Sequence, residues 1–514
     1  MFKYGLKVIN LYGGPGSGKC FAKNTNILMY DGTIKKVQDI CINDLVMGPD
    51  SLPRKVLSLS NGISTLYNII PTKGIPYKVT GNHILPLKYN SHGKEKDIFI
   101  TADNFIRLSD YKKARYKQYK TKIDFETKIV DIDPYYIGLW LGDGSSNDPT
   151  RITNIDNEII EYLKEFSLSL GKVLNPVGNT ITHAITSGSR YINDSNPLRI
   201  ALKKYNLIGN KHIPDVYKIN DEKTRLKLLA GLIDSDGYVN KNCCEIITKY
   251  ENLANDILFL CSSLGFATYK KEVIKGCNTK NGYVKNIYYK ISFSGEGSEN
   301  IPTLLPRKQF YKRFFNKNVL RTSIKIEVDT EQNEYYGFEV DKDHLFVMGD
   351  FTVTHNSTTA AGLFHLMKKD HYDVELITEY AKDMVWERQH PDHFTNQVFI
   401  SAMQNNKQLN LVAHNVEYCI TDSPILMSAL YRPKKYYKHF LPLLKEINDS
   451  YDNINYFLER DFDYVQKGRN KNEKEAIKLS KRIRKFMDKH GIEYQVIKTD
   501  YNTAEMIYAG LCKK

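Results

Sequence analysis

Residues 13–20 read Gly-Gly-Pro-Gly-Ser-Gly-Lys-Cys, and this stretch decides how the rest of the chain divides. It matches the phosphate-binding loop pattern G-x-x-x-x-G-K-[ST] except at its last letter, because Cys20 has no hydroxyl. The missing hydroxyl occurs at Ser357, followed by Thr358 and an apolar run that predicts the start of a helix. Removal of residues 20–356 would join an apolar strand, a glycine loop and a helix in the order that phosphate binding requires. The sequence therefore predicts one domain interrupted by a 337-residue insert.

The composition is that of a soluble multidomain protein, with 41% hydrophobic and 26% charged residues. A chain of 514 residues is too long for one hydrophobic core. No apolar run reaches the roughly 18 residues of a membrane span and no secretion signal is present, so we expect no membrane partner. The eight cysteines form no C-x-x-C pair, which argues against zinc and disulfide frameworks and predicts a cytoplasmic location for the free thiol of Cys20. Of the net charge of +14, the insert carries +8, which is compatible with nucleic acid.

The two ends of the insert resemble the intein family of self-splicing proteins, and the resemblance covers residues 20–356. The start, CFAKNTNILMYDGTIKKVQDICINDLVMG, is similar to the family's first block, and VTGNHILPL is similar to its second. The end, YYGFEVDKDHLFVMGDFTVTHN, is similar to its last two blocks. The resemblance implies the working residues Cys20, Thr80, His83, His344, His355, Asn356 and Ser357. One departure is Gly337, at a position often occupied by Asp in the family, which leaves one proton-handling role unassigned.

At the first junction these residue types suit an acyl shift. The thiol of Cys20 can attack the carbonyl of Lys19 and convert the amide into a thioester. Thr80 and His83 can donate to the oxyanion and protonate the departing nitrogen. A cysteine or histidine at one arbitrary position is most often structural, but this ordered set around a broken loop predicts splicing.

At the second junction the predicted chemistry releases the insert. Ser357 attacks the thioester, and Asn356 then cyclises through its side-chain amide and cuts the chain behind it. His355 and His344 are placed to polarise that carbonyl and to move protons. An oxygen-to-nitrogen shift finally joins Lys19 to Ser357, and proximity of the two junctions supplies much of the rate.

The middle of the insert contains an internal repeat. YYIGLWLGDGS (135–145) and LLAGLIDSDGY (228–238) each close on Asp-Gly, and each is followed by a polar strand and an amphipathic helix that ends in Leu-Gly. A tandem repeat of this kind predicts two pseudo-symmetric halves. The flanking regions instead show short alternating strands and Gly-containing turns, which predicts β structure.

The two motifs resemble those of the LAGLIDADG (DOD-type) homing endonucleases. In this reading Gly138 and Gly231 allow two helices to pack closely, which brings Asp143 and Asp236 side by side as an acid pair and a Mg²⁺ site. The resemblance implies a staggered double-strand cut in DNA, with the intein-free host gene as the target.

Basic partners are expected about seventy residues beyond each acid. Lys211, in NKHIPDVY, matches the family's Lys-x-Ile-Pro block, and Lys308 is its positional counterpart, so both are candidate catalytic lysines. Lys290 is expected to face DNA. The stretch 88–122 mixes Lys and Arg with Tyr, and either tracks a phosphate backbone or forms a solvated linker.

Joined, the two host segments total 177 residues, the size of one α/β domain. They resemble P-loop nucleoside kinases, more narrowly the nicotinamide riboside kinase branch and related phage ATPases. The resemblance implies ATP, Mg²⁺ and a nucleoside-type acceptor, with Lys19 on the phosphates, Ser357 on Mg²⁺ and Asp422 as a second acid. Glu379 is a candidate acceptor contact, and the remaining nucleotide-binding candidates are Gly13, Gly18, Thr358, Arg460 and Arg469. The alternative is a nucleotide-hydrolysing accessory protein with no small acceptor.

The predicted fold class is therefore multidomain: an all-β Hint splicing domain, an α+β pseudo-symmetric endonuclease and a split α/β P-loop host. The expected segments are the host segment 1–19, the splicing regions 20–124 and 316–356 around the nuclease 125–315, and the host segment 357–514. An alternative for the whole chain is a P-loop ATPase that no longer splices and keeps a permanent DNA-binding insert.

Overall fold

The computed structural model describes most of the chain. The described residues are 3–12, 20–81, 83–91, 94–187, 196–279, 282–312, 318–355, 359–377, 379–381, 384, 394–460, 473–499 and 503–512. They form an α/β unit from the two chain ends, a β-rich unit from the two ends of the insert and an α+β unit from its middle. Within these ranges, every helix is too short or too polar to cross a lipid bilayer.

The chain ends build one five-stranded parallel sheet. Its strands lie in the spatial order Val374–Ile377, Tyr418–Thr421, Lys7–Tyr12, Asp452–Arg460 and Gln495–Thr499. The helices of this unit are Thr359–Lys369, Gln397–Ala413, Met427–Tyr431, Phe440–Asp449, Glu473–Lys489 and Thr503–Leu511. An α/β fold is thus confirmed for the described part of the host.

The central strand of this sheet is buried on both faces, which explains its unbroken apolar run. Ile9 and Leu11 pack against Leu363 and Met367 of the helix Thr359–Lys369, which follows the insert. The host strand before the insert and the host helix after it therefore belong to one core in the uncut chain. Numbered along the chain, the strand order is 2-3-1-4-5, so the first strand ends where the order reverses, the edge at which open α/β sheets bind ligands.

The β-rich unit joins both ends of the insert. Its longest strands, Pro53–Pro71 and Ile324–Val340, pair antiparallel although they come from opposite ends. Around them lie Phe21–Ala22, Asn26–Leu28, Ile34–Lys36, Leu45–Met47, Tyr77–Thr80, Ile84–Ser91, Lys94–Thr101, Tyr116–Tyr119, Arg321–Thr322, Leu345–Val347 and Val353–His355. The α-helices Ala102–Ile106 and Asp110–Arg115 and the 3-10 turn Val37–Asp39 are additions to the predicted all-β pattern.

The linker interpretation of residues 88–122 is wrong. This stretch continues the strand Ile84–Ser91 into a hairpin with Lys94–Thr101, and two short helices and the strand Tyr116–Tyr119 follow. Apolar side chains such as Ile100 and Phe105 are buried in the core of the β-rich unit. The many Lys and Tyr residues hide this apolar pattern in the sequence.

The α+β unit has the predicted pseudo-symmetry. Helices Pro134–Asp143 and Glu222–Asp236, named here motif helix 1 and motif helix 2, carry the two repeats. After motif helix 2 the strands Gly237–Asn240, Cys243–Thr248, Ala267–Thr279 and Gly282–Ser294 form a sheet with chain order 1-2-4-3. After motif helix 1 a bridge from Gly144 and the strands Arg151–Thr153, Val173–Pro176 and Thr182–Thr186 repeat that order. Helices Asn157–Ser169 and Glu251–Ser263 also correspond, and Pro197–Lys204, Asp215–Lys218 and the 3-10 turns Ser298–Asn300 and Pro306–Lys308 complete the unit.

The two motif helices cross with their backbones in near contact. A β-carbon on Gly138 would lie 2.0 Å from the Leu228 carbonyl oxygen, and one on Gly231 would lie 2.1 Å from the Tyr135 carbonyl oxygen. Real β-carbons do not approach backbone atoms this closely, so only glycine fits at either crossing position. This confirms the predicted reason for the small residues.

Candidate splicing and nuclease sites

Cys20 is fully buried, directly before the strand Phe21–Ala22, and both of its backbone polar groups contact Thr80. The Cys20 N–H donates to Thr80 Oγ1 (3.1 Å), and the Thr80 N–H donates to the Cys20 carbonyl (2.9 Å). The Cys20 nitrogen is the leaving group of the predicted first step. Thr80 therefore contacts the nitrogen side of the scissile bond, whereas the expected oxyanion contact involves Lys19, which lies outside the described residues.

His83 connects the first junction to the last strand of the insert. The backbone N–H of His83 donates to the Thr80 carbonyl (2.9 Å). Its imidazole ring is fully buried and meets the Phe21 ring edge-on, with 4.6 Å between the centroids. His83 Nε2 lies 3.0 Å from Thr354 Oγ1, in the strand Val353–His355. A group from the second intein-like block therefore touches the residue two positions before the predicted cyclising Asn356.

His344 directly precedes the strand Leu345–Val347, and His355 ends its partner strand Val353–His355. His355 ends a strand opposite Leu345, and the two imidazole rings are 6.0 Å apart between centroids. His344 Nδ1 lies 2.8 Å from the Val340 carbonyl, which can only accept, so Nδ1 carries a proton. Asn356 and Ser357 lie outside the described residues.

One contact of the nucleophile was absent from the sequence prediction. Ser60 Oγ lies 3.3 Å from Cys20 Sγ, although the two residues are 40 positions apart. No local motif marks Ser60, and only the strand register brings it to the thiol.

The predicted acids are the last residues of the two motif helices. A β-carbon on Gly142 would lie 3.2 Å from Asp236 Cγ, so the helix ends are adjacent. Asn154 Nδ2 donates to Asp143 Oδ2 (2.7 Å). Burial, with repulsion from Asp236, raises the pKa of Asp143 to about 6, against the opposing effect of the Asn154 hydrogen bond. Desolvation also raises the pKa of Asp236, so the two carboxylates are held together at an electrostatic cost.

The two predicted lysines occupy equivalent positions. Lys211 Nζ donates to the carbonyls of the last turn of motif helix 1, at Trp140 (3.3 Å), Gly142 (3.0 Å) and Gly144 (2.8 Å). Lys308 Nζ does the same on motif helix 2, at Ile233 (2.8 Å), Asp234 (2.9 Å) and Ser235 (3.0 Å). Burial lowers the pKa of Lys211 to about 8 and also lowers the pKa of Lys308. Each ammonium thus binds carbonyls at the C-terminal end of a motif helix, where a cation is favoured, beside an acid.

The carboxylates of Asp143 and Asp236 suit a divalent cation whose remaining ligands are water and phosphate. Among the described residues no group of three or more His, Cys, Asp and Glu side chains is placed to hold a metal. Two carboxylates completed by water and phosphate suit Mg²⁺, which keeps several waters and binds one or two carboxylates. The fit rests on Asp143 and Asp236 alone.

The host candidates are only partly described. Asp422 directly follows the strand Tyr418–Thr421, and Glu379 follows Val374–Ile377, so both lie at the carboxyl edge of the sheet. Only the backbone of Arg460 is described, at the end of Asp452–Arg460. The other host candidates lie outside the described residues: Gly13, Gly18, Lys19, Ser357, Thr358 and Arg469.

Two family models match the insert. The model described as Hom_end-associated Hint matches residues 20–134, and the model described as homing endonuclease matches residues 212–302. The chain is 32% identical over 246 residues to the replicative DNA helicase DnaB of Mycobacterium intracellulare, a match that covers 46% of this chain and 37% of the relative. It is 25% identical over 232 residues to the homothallic switching endonuclease of Saccharomyces cerevisiae, covering 37% of this chain and 40% of that protein.

The chain therefore spans less than half the length of these curated relatives. A solved structure of I-DmoI in complex with DNA and Mn is also similar, at 14% identity and a TM-score of 0.22, over 32% of this chain and 89% of that one. The family models, together with the paired strands and crossed motif helices, lead to one conclusion. The insert contains a Hint domain of the homing-endonuclease-associated type and a homing endonuclease domain.

Proposed function

We propose that the chain is a self-splicing precursor that excises residues 20–356 and ligates Lys19 to Ser357. The observation that supports this most directly is the convergence of both insert ends in one β fold. Thr80 contacts Cys20 at the first junction, and His83, three residues later, contacts Thr354 just before the second junction. Such an arrangement holds the reacting ends together, which is what an intramolecular acyl transfer requires.

In the proposed first step, Cys20 Sγ bonds to the carbonyl carbon of Lys19 and the bond to the Cys20 nitrogen breaks. The proton of the thiol ends on that nitrogen. Thr80 Oγ1 orients the nitrogen through its 3.1 Å hydrogen bond, and His83 transfers the proton from within the same buried turn.

In the proposed later steps, Ser357 takes the acyl group from Cys20 and the Asn356 side-chain nitrogen attacks its own backbone carbonyl. The hydrogen bond from His344 Nδ1 to the Val340 carbonyl orients the His344 ring beside that of His355, and we assign these two imidazoles the proton transfers at this junction. Release of the insert leaves an ester at Ser357, which rearranges to the peptide bond.

Mass spectrometry of the expressed protein tests this function. The unmodified chain should give a ligated 177-residue species, and Asn356→Ala should leave branched or N-terminally cleaved products. Cys20→Ala should leave the first junction intact, whereas the matched change at the exposed Cys41 should splice normally. Absence of any ligated species from the unmodified chain would favour the permanent-insert alternative.

The second part of the proposal is that the insert cuts double-stranded DNA at the intein-free host gene, around the codons for Gly-Lys-Ser-Thr. Asp143 and Asp236 would hold Mg²⁺, which supplies an activated water and neutralises phosphate charge. Lys211 and Lys308 keep the two helix ends in place beside these acids.

Two lysines lie on the open face of the four-stranded sheet that follows motif helix 2. Lys290 lies in Gly282–Ser294 between the buried Ile291 and the half-buried Tyr289, which both pack on the core, so Lys290 points away from it. Lys290 pairs across strands with Lys271. Lys290 Nζ also contacts Glu245 Oε1 (2.8 Å). We propose that this face contacts the phosphate backbone, because clustered lysines release counterions from DNA.

The test uses plasmids that carry either the uninterrupted or the interrupted host gene. The unmodified protein with Mg²⁺ should cut only the uninterrupted allele, and Asp143→Ala or Asp236→Ala should abolish cutting while splicing continues. Glu161→Ala, a change at an exposed acid, is the matched control. Equal cutting of both alleles would contradict the homing role, and loss of splicing in either Asp variant would contradict the modular division.

For the host we propose an ATP-binding P-loop enzyme of the nucleoside kinase type. The supporting observation is the parallel sheet whose central strand, Lys7–Tyr12, leads directly into the glycine-rich residues 13–19 at the edge where the strand order reverses. Asp422 lies at the same edge and is the proposed second acid. Phosphorylation of added nucleosides by the spliced protein would support a kinase, and ATP hydrolysis without any acceptor would support the accessory ATPase.

A further inference from the structure

A hydroxyl lies against the proposed nucleophile, on a strand that none of the splicing blocks includes. Ser60 Oγ is 3.3 Å from Cys20 Sγ, and Ser60 belongs to the long strand Pro53–Pro71. Cys20 is fully buried and Ser60 is half-buried, so the contact is shielded from bulk water. A hydroxyl in this position can accept from the thiol or donate to the thiolate, and the thiolate is the form that attacks.

Gly337 explains how the two groups can meet. Phe21 pairs with Tyr336, and the antiparallel register therefore puts Cys20 opposite Gly337. Ser60 pairs with Gly337 from the other side. In a flat sheet, strands on either side of a third strand lie about 9.6 Å apart, too far for such short side chains to touch. This sheet closes on itself, because Pro53–Pro71 pairs with both Ile324–Val340 and Tyr77–Thr80. The curvature allows Cys20 and Ser60 to meet, and Gly337 places no side chain between them.

We infer that Ser60 is a positioning residue for the first splicing step, which holds the Cys20 thiol and stabilises its thiolate by donating a hydrogen bond. The inference rests on the proposed splicing function and adds a residue to it. In that step, Sγ bonds to the carbonyl carbon, the carbon–nitrogen bond breaks and the thiol proton ends on the Cys20 nitrogen. Ser60 neither gains nor loses a proton. A negatively charged carboxylate at position 60 would repel the thiolate, whereas the neutral hydroxyl of Ser60 can donate to it.

The test compares Ser60→Thr with Ser60→Val, because these side chains share a shape and differ in the hydroxyl. Both changes are made in the full-length chain with Asn356→Ala, so that the chain is not cut at the second junction. Excess small-molecule thiol then releases the N-terminal fragment, which mass spectrometry follows across a pH series. Ser60→Thr should react within about twofold of its parent. Ser60→Val should be about tenfold slower near neutral pH, with its pH midpoint about one unit higher, because the thiolate forms without its donor.

Gly337→Ala provides an independent arm, since the register places this residue between Cys20 and Ser60, where we expect an added β-carbon to push their side chains apart. It should slow release about tenfold, and the double variant Ser60→Val, Gly337→Ala should be no slower than either single variant, because both remove one contact. Cleavage at the second junction, measured with Cys20→Ala, should be unaffected by Ser60→Val. Additive losses, or a loss of that second cleavage, would overturn the positioning role.

The outcomes also separate this inference from the proposed function. Equal rates and equal pH midpoints for Ser60→Val and Ser60→Thr would overturn the role of Ser60 while splicing itself stands. Failure of the Ser60-containing parent to release any N-terminal fragment would overturn the splicing function, and the inference with it.

Discussion

Gly231→Ala should separate the two motif helices. The new β-carbon would lie 2.1 Å from the Tyr135 carbonyl oxygen and 2.6 Å from the Leu139 nitrogen. Both are backbone atoms of motif helix 1, so no side-chain rotation can relieve the clash. Ordinary contact begins near 3.4 Å, and the helices must therefore move apart by roughly 1 Å.

Overpacking of this kind costs about 3 kcal/mol, at the upper end of the usual range, because the obstacle is backbone. For a unit of this size, that loss lowers the melting temperature by about 6–12 °C. The same movement displaces Asp236 relative to Asp143, and a misplacement of about 1 Å can reduce a reaction rate about 100-fold. Cutting should therefore fall further than folding does.

Scanning calorimetry and plasmid cleavage by the full-length chain measure the two effects. Gly510→Ala is the control, because it lies in the helix Thr503–Leu511 and its β-carbon would meet nothing closer than the Tyr456 hydroxyl at 3.8 Å. That change should be neutral or stabilise by up to about 1 kcal/mol. Near-normal cutting with an unchanged melting temperature in Gly231→Ala would refute the close helix crossing.

Three further predictions concern the other sites. The unspliced double variant Cys20→Ala, Asn356→Ala should not turn over ATP, because the two halves of the phosphate loop stay on separate segments, and turnover at the spliced protein's rate would contradict this. Asp143→Asn should raise the melting temperature near neutral pH without divalent cations, since it removes a carboxylate whose pKa burial raises to about 6. This gain in melting temperature should shrink as pH falls through about 6 towards the ordinary carboxyl pKa of 3.8, because Asp143 becomes protonated first in the folded state and then in both states. A gain that grows on acidification would contradict the prediction. Lys211→Met and Lys308→Met should each cost about 1.5–3 kcal/mol of stability, since each ammonium donates to three carbonyls. Loss of cutting at an unchanged melting temperature would instead show that the two lysines act on the DNA phosphate and do not hold the helix ends.

The parts of the fold that depend on local pattern could be predicted from the sequence. Gly138 and Gly231 recur in two copies of one helical motif, and the absence of a β-carbon has the same meaning in both. The positional match of Lys308 to Lys211 also followed from spacing. Its hydrogen bonds to a helix end did not, because they depend on how a later turn packs against motif helix 2.

Contacts set by register could not be predicted. Ser60 reaches Cys20 only because two strands align across Gly337, and a shift of one residue would point the hydroxyl to the other face. Asp234 is a motif letter in the sequence, whereas the structure shows that it accepts from the Tyr135 hydroxyl (2.7 Å) across the helix crossing. The apolar positions within 88–122 were likewise hidden among Lys and Tyr.

The central strand of the host sheet has a consequence for the order of folding during synthesis. Lys7 pairs with Tyr418, 411 positions later, and with Asp452 beyond it. At translation rates of about 5–20 residues per second, the strand Lys7–Tyr12 waits about 20–80 s for its first neighbour. The insert ends 62 positions before Tyr418, about 3–12 s earlier at these rates, and can begin to fold on the ribosome ahead of the host. During that interval the apolar strand is exposed, so the precursor should depend on chaperones more than an uninterrupted copy of the same host.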